Sequence, residues 1–281
     1  MRIDAHAHLW DLAVRDQPWT ASLPALRRSF SIDDLAPSLD THGIDSVVLV
    51  QTVCVAEETP EMLALAAREP RVAGVVGWVD LTAADVTAHL RALRAAEGGA
   101  ALIGIRHQVQ EEDDPRWLCR PDVRRGLSEV ADAGLAYELV VRPPQLAAVL
   151  DTARAIPRLR FVLDHGAKPD VSGSPSPRWR EAISELGALP NMAAKLSGLT
   201  SEGGANWTVE GLRPFAEALI GAFAADRLMF GSDWPVCLLG GGYDATIDAT
   251  GAWLGGCSPE QRELVFGATA ARVYGFGPGG R

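Results

Sequence analysis

Eight short apolar runs recur from one end of this chain to the other, at 2–4, 46–51, 73–79, 102–106, 136–140, 160–163, 192–196 and 228–230. They are nearly continuous rather than alternating, as in Val47-Val48-Leu49-Val50 and Phe161-Val162-Leu163. A strand with one face in water alternates, whereas a strand covered on both faces does not. The runs therefore point to a parallel sheet buried under helices.

Helical stretches lie between the runs. Ser31 stands as an N-cap before the first-turn acids Asp33 and Asp34, and Gly43 closes that helix. Thr59-Pro60-Glu61 opens a second, with proline expected at its first position. Further helices are expected over 83–97, 122–133, 144–156, 178–186 and 209–223, and Ser258-Pro259-Glu260 opens a late one. Strands that alternate with helices in this way build either a closed barrel or a doubly wound sheet. A doubly wound nucleotide-binding sheet wants a glycine-rich phosphate loop. Neither GxGxxG nor GxxxxGK[ST] occurs, and Gly240-Gly241-Gly242 stands alone in a late loop. The 281 residues suit one (β/α)8 barrel, which takes about 250 residues. The expected fold is thus α/β, a single TIM-type (β/α)8 barrel over 1–274, with 275–281 as a disordered tail.

Composition removes several function classes. The formal net charge of −10 argues against a nucleic-acid surface or an anionic membrane as partner. No run of about 18 apolar residues, the length that spans a bilayer, occurs. Cys54, Cys119, Cys237 and Cys257 are scattered and form no CxxC pair, which speaks against a thiolate zinc site and for reduced thiols. With no apolar leader visible, a cytoplasmic location is expected. The partner expected is a small molecule, and a homo-oligomer stays open.

In a barrel, chemistry gathers at the carboxyl ends of the strands. The first run leads into His6-Ala7-His8, and residues two apart in an extended chain face the same side. Two convergent imidazoles can hold a divalent metal or polarise a carbonyl. The sixth run leads directly into Asp164-His165-Gly166, and the eighth into Gly231-Ser232-Asp233-Trp234. A carboxylate at Asp233 can activate water, bind a metal, or do both. Taken singly, each has a plain structural reading as a cap or a surface group. Their common placement at strand ends favours a site made by His6, His8, His165 and Asp233.

At these residues the chain resembles the amidohydrolase superfamily, in its amidohydrolase-2 branch. The segments that carry the likeness are Asp4-Ala5-His6-Ala7-His8-Leu9-Trp10-Asp11, Gly104-Ile105-Arg106-His107, Asp164-His165-Gly166-Ala167-Lys168-Pro169 and Gly231-Ser232-Asp233-Trp234-Pro235. Within that branch it looks most like the sugar lactonases acting on L-fuconolactone, L-rhamnonolactone and related aldonolactones. Binuclear members carry a bridging residue on strand four and a histidine on strand five. Here strand four ends Ile105-Arg106-His107 and strand five reads Ala136-Tyr137-Glu138-Leu139-Val140. The resemblance therefore implies either one divalent metal, such as zinc on His6, His8 and Asp233, or metal-independent chemistry.

The reaction this implies is hydrolysis of a cyclic ester. Asp233 would take a proton from water, and His165 and Arg106 would stabilise the oxyanion. Gln51, Trp78, His107, Lys168 and Trp234 are candidates to hold the sugar, with Gln108 beside them. Alternatives are a metal-dependent non-oxidative decarboxylase of an aromatic or unsaturated acid, a pyrone-dicarboxylate-type lactonase, and a binding barrel that has lost catalysis.

Overall fold

The structure is a computed structural model and describes residues 1–276. In chain order the elements are β1 (Ile3–Ala7), α1 (Ile32–His42), β2 (Ser46–Val50), α2 (Glu58–Arg68), β3 (Val72–Gly77), α3 (Val86–Ala95), β4 (Leu102–His107), α4 (Pro121–Asp132), β5 (Ala136–Leu139), α5 (Leu146–Ala155), β6 (Arg160–Leu163), α6 (Pro177–Gly187), β7 (Met192–Leu196), α7 (Leu199–Gly203), α8 (Val209–Phe223), β8 (Leu228–Phe230), α9 (Tyr243–Trp253), α10 (Pro259–Glu263) and α11 (Thr269–Tyr274). The eight strands pair in parallel in the order β1 to β8, giving the (β/α)8 barrel expected from the apolar runs.

Past β8 the chain turns back onto β1. Asp233 N–H donates to His6 O at 2.9 Å, and His8 N–H donates to Trp234 O at 2.6 Å. A parallel bridge joins Ala7 and Trp234. The buried Asp4 carboxylate stitches the same seam, accepting from His6 N–H at 3.1 Å and Ser232 N–H at 2.9 Å. Burial pushes the Asp4 carboxyl up to about 6, against the hydrogen bonds from Ser232 and His6.

The barrel interior is filled by Ile3, Ala5, Val48, Val50, Val76, Ile103, Ala136, Val162, Ala193 and Met229, and α11 adds Ala270 and Tyr274. Alanines on β1, β5 and β7 belong to the same inner cluster as the Tyr274 ring. A larger apolar shell, including Leu35, Leu39, Leu63, Leu127, Phe215 and Leu219, lies between the strands and the helices. That two-sided cover explains why the strands read as continuous apolar runs.

Several boundaries differ from the sequence expectation. β1 runs on through His6 because the backbone keeps pairing with β2. A register shift between Asp4 and Ala7 lets Ile3 and Ala5 pack inside while His6 and His8 also face the barrel axis above them. α2 begins at Glu58, so Pro60 is its third residue. Proline has no N–H to lose anywhere in the first turn, where those groups lack intrahelical partners. α9 has no counterpart in the sequence expectation, since its Thr- and Gly-containing sequence shows no clear apolar stripe. In the expected tail, Gly275 takes a left-handed φ of 76° and Phe276 packs 5.9 Å from the Tyr274 ring, while 277–281 lie outside the described residues. Among the described residues no helix is long and apolar enough to cross a membrane, and all four cysteines are unpaired.

Ala136 is fully buried in the inner layer. Ala136→Leu should therefore overpack the barrel and destabilise the fold by about 1–3 kcal/mol in urea unfolding. An unchanged midpoint would show that the interior is not close-packed.

Candidate active site

The seam delivers three side chains to the barrel mouth, His6, His8 and Asp233, and the end of β6 delivers a fourth, His165. His6 and His8 leave β1 with their Nε2 atoms 3.2 Å apart. Asp233 Oδ1 lies 3.4 Å from His8 Nε2, 3.7 Å from His6 Nε2 and 3.8 Å from His165 Nε2. All four side chains are buried. The four residues singled out from sequence are thus brought together around one point, with donor atoms inward.

Local backbone conformation produces this convergence. His165, Gly166, Ala167 and Lys168 all have left-handed φ values, of 52°, 56°, 63° and 48°, and Asp233 has 59°. Non-glycine residues pay about 1–2 kcal/mol each for that conformation, and such strain collects at functional sites. It folds the chain after β6 back over the axis instead of away from it. Two glycines make the necessary space. A Cβ on Gly198, itself at φ +70°, would lie 2.5 Å from His165 Nδ1, and one on Gly231 would lie 2.7 Å from His6 Cβ.

The outer nitrogens of the rings are fixed from behind. Val50 O can only accept, so His8 Nδ1 donates to it, at 2.7 Å, and Nε2 keeps its lone pair for the site. His165 Nδ1 is 2.9 Å from Ser197 Oγ. His6 Nδ1 lies 3.0 Å from Lys195 Nζ and 3.4 Å from Asp164 Oδ1. Burial lowers the pKa of His165 to about 4 and, helped by Lys195, puts His6 well below its usual value. Both rings are therefore neutral at pH 7. Burial works against ionisation of Asp233, but His165, His8 and His6 outweigh it and hold the carboxyl well below the usual carboxylate range. The result is one anion facing three imidazoles, of which His6 and His165 are neutral.

That donor set fits a divalent metal. His6, His165 and Asp233 each offer an atom within 4.8 Å of the others. Donors on a tetrahedral zinc ion, each about 2.0–2.1 Å from it, lie roughly 3.4 Å apart. The separations of 3.2, 3.4, 3.7 and 3.8 Å bracket that value. Beside the His6, His8 and Asp233 set expected from sequence, the structure offers a second set in which His165 joins His6 and Asp233.

The remaining sequence candidates fall into two groups. Arg106 and Gln51 are buried beside the histidines, but they mainly face each other. Arg106 Nε and Nη2 donate to Gln51 Oε1 at 3.2 and 3.0 Å, Nη1 donates to Asp164 Oδ2 at 3.0 Å, and Nη1 lies 3.3 Å from His6 Nε2. With its donors so engaged, Arg106 acts on the site chiefly through its charge. His107 lies further out, stacked 4.4 Å over Trp117. It accepts from Trp78 Nε1 at 3.0 Å on Nδ1 and donates from Nε2 to Glu112 Oε1 at 2.7 Å. Gln108 donates to Thr52 O at 2.8 Å. Lys168 is half-buried, 3.6 Å from Glu202. Trp234 packs edge-on against Phe30, 5.3 Å away, so it props the seam.

Sequence reading missed Asp164 itself, together with Lys195, Glu138, Tyr274 and Ser197. Glu138 and Lys195 did leave a signal, each being a lone charge inside an apolar strand.

Known proteins resemble the whole chain. The amidohydrolase family model matches residues 3–276. An L-fucono-1,5-lactonase of Burkholderia ambifaria is 38 % identical, over 97 % of this chain and 95 % of the relative. An L-fucono-1,5-lactonase of Burkholderia multivorans is 36 % identical, over 98 % and 96 %. The crystal structure of an amidohydrolase from Burkholderia multivorans with bound zinc superposes with a TM-score of 0.91 at 34 % identity, covering 98 % of this chain and 99 % of the other.

Two outcomes follow from the geometry. Gly198→Ala should displace His165 and lower turnover at least tenfold, with the circular dichroism spectrum retained. Unaltered kinetics would show that the ring does not depend on that space. The second outcome concerns acid. Folded His165 titrates at about 4, and the unfolded residue near 6.5. The unfolded chain therefore takes up the proton first as pH falls. From this group alone, metal-free protein should lose roughly 2 kcal/mol between pH 7 and pH 5. Urea midpoints at the two pH values should lie closer together in His165→Gln than in the unmodified chain, and an equal gap would refute the assignment.

Proposed function

The chain belongs to the amidohydrolase family, and from that premise we propose that it is a lactonase that hydrolyses the ring ester of a sugar-derived lactone, of the L-fucono- or L-rhamnonolactone type. The observation that carries this is the carboxylate of Asp233, set among the imidazoles of His6, His8 and His165 at the barrel mouth. The lactonase names of the two curated relatives support the substrate class.

Asp233 accepts a proton from the water that attacks the lactone carbonyl carbon. The imidazole of His165 and the charge of Arg106 stabilise negative charge on the carbonyl oxygen. The ring C–O bond then breaks, and the leaving alkoxide takes up the proton, giving the open hydroxy acid. A divalent ion held by His6, His8 and Asp233 would add Lewis acidity to that carbonyl and lower the pKa of a bound water. A lactone asks less of the site than an amide does, since its leaving group is an alkoxide and its ester is ring-constrained. Outside the four-residue centre, the half-buried Trp78 and Lys168 supply aromatic and polar surface suited to a hydroxylated ring, His107 and Gln51 hold Trp78 and Arg106 in place, and Trp234 supports the seam from behind.

A panel of aldonolactones, followed by proton release with a pH indicator and with or without a chelator, tests this. Turnover of at least one member is expected. Asp233→Asn should lose roughly 10²–10⁴-fold in kcat, the usual worth of a general base. Full activity in that variant would remove the base assignment. Silence across the panel together with carbon dioxide release from an aromatic acid would replace the reaction class.

A further inference from the structure

Below the proposed metal donors, on the closed side of the site, lies a second group of charged residues that the mechanism above does not use. Lys195 on β7, Glu138 on β5, Asp164 after β6 and Tyr274 on α11 are buried at the barrel axis. Lys195 Nζ lies 2.6 Å from Glu138 Oε1, 3.3 Å from Asp164 Oδ1 and 3.0 Å from His6 Nδ1. The Tyr274 hydroxyl donates to the same Glu138 oxygen. His6, Glu138 and Asp164 also offer donor atoms within 4.8 Å of one another, which makes them the second cluster in the described residues able to surround a cation. The ammonium of Lys195 already stands within reach of all three.

We propose that Tyr274, Glu138, Lys195 and Asp164 form a positioning relay that holds His6 from behind, with the Lys195 ammonium serving as the fixed cation of this lower cluster. The inference rests on the reading of His6 as a metal ligand. The ring of a metal-binding histidine is oriented by what its other nitrogen meets, and for His6 Nδ1 the nearest such group is Lys195 Nζ at 3.0 Å. Asp164 Oδ1 is the carboxylate oxygen beside it, at 3.4 Å. Asp164 stays at that place because Lys195 and Arg106 both hold it. Lys195 in turn is anchored by Glu138, and Glu138 by the hydroxyl of the helix that plugs the barrel floor. The relay therefore joins the C-terminal helix to the centre through three strands, and none of its members touches substrate. An ammonium at this point also leaves room for one ion in the centre rather than two.

The test is zinc affinity, measured by competition with a chromophoric chelator, beside thermal melting of the metal-free protein. The unmodified chain should bind one zinc ion. Tyr274→Phe keeps the ring and removes only the hydroxyl, so it should melt close to the unmodified chain yet bind zinc several-fold more weakly. Lys195→Met leaves buried carboxylates without their counter-ion and stands to lose its fold. Lys195→Met/Glu138→Gln removes one charge of each sign and should recover the melting temperature. Its zinc affinity should nevertheless stay about 10–100-fold down, the usual cost of losing such an outer support. A role confined to charge balance would restore both readouts in the double variant. Unmodified zinc affinity in Tyr274→Phe and in the double variant would overturn the relay. An unmodified chain that takes up no zinc would overturn the metal reading, and the relay with it. Tight zinc binding in a protein that opens no lactone would leave the relay standing and remove only the substrate assignment.

Discussion

Closure of the barrel is the constraint on which everything else hangs. Eight strands leave two edges, and here those edges meet beyond β8 through main-chain hydrogen bonds between His6 and Asp233 and between His8 and Trp234. Three of the four central residues are thus themselves part of the seam. Asp4 adds a buried carboxylate that accepts from both sides of it. Folding and assembly of the centre are consequently one event. A chain with an open seam would have its histidines and its aspartate on separate edges.

The second organising principle is the vertical sorting of charge inside the barrel. The floor is apolar and plugged by Tyr274. Above it sit Lys195, Glu138 and Asp164, with Arg106 alongside, and the imidazoles with Asp233 occupy the mouth. Burial shifts each level differently. Asp164 is opposed by burial, but Lys195, His6 and Arg106 hold it well below the usual carboxylate range. Burial pushes the Glu138 carboxyl up despite Lys195, and it pushes the Tyr274 phenol well above its ordinary value, so the hydroxyl stays a donor. Buried charges in contact are tolerated when each is paired and hydrogen-bonded, and here opposite signs come from neighbouring strands.

Much of this was legible in the sequence. β6, β7 and β8 matched the apolar runs at both ends, because Leu163 and Phe230 are followed by the turn-forming Asp164 and Gly231 and the β7 run gives way to Ser197-Gly198. The end of β1 was harder, since His-Ala-His lacks the apolar character that marks a strand. Only its pairing with β2 and Trp234 makes it one. His6, His8, His165 and Asp233 could be singled out because polar groups that directly follow apolar strands stand out. Lys195 and Glu138 could not be assigned partners in the same way, because they are linked through space and not through spacing. Tyr274 is the extreme case, lying 136 residues from the carboxylate it meets. His107 looked like a free mouth residue in the sequence, but both its nitrogens are occupied by Trp78 and Glu112.

The left-handed turn from His165 to Lys168 has a further consequence. A right-handed exit from β6 would carry the next residue outward with the helix that follows. Reversing handedness for one turn lets a residue immediately after the strand lean inward, and the chain still leaves toward α6 on schedule. The barrel thereby gains a third imidazole without lengthening the connection. The same four residues leave Lys168 on the rim facing Glu202. One short reversal in winding sense thus fixes both a deep group and a shallow one, and ties the centre of the site to its rim.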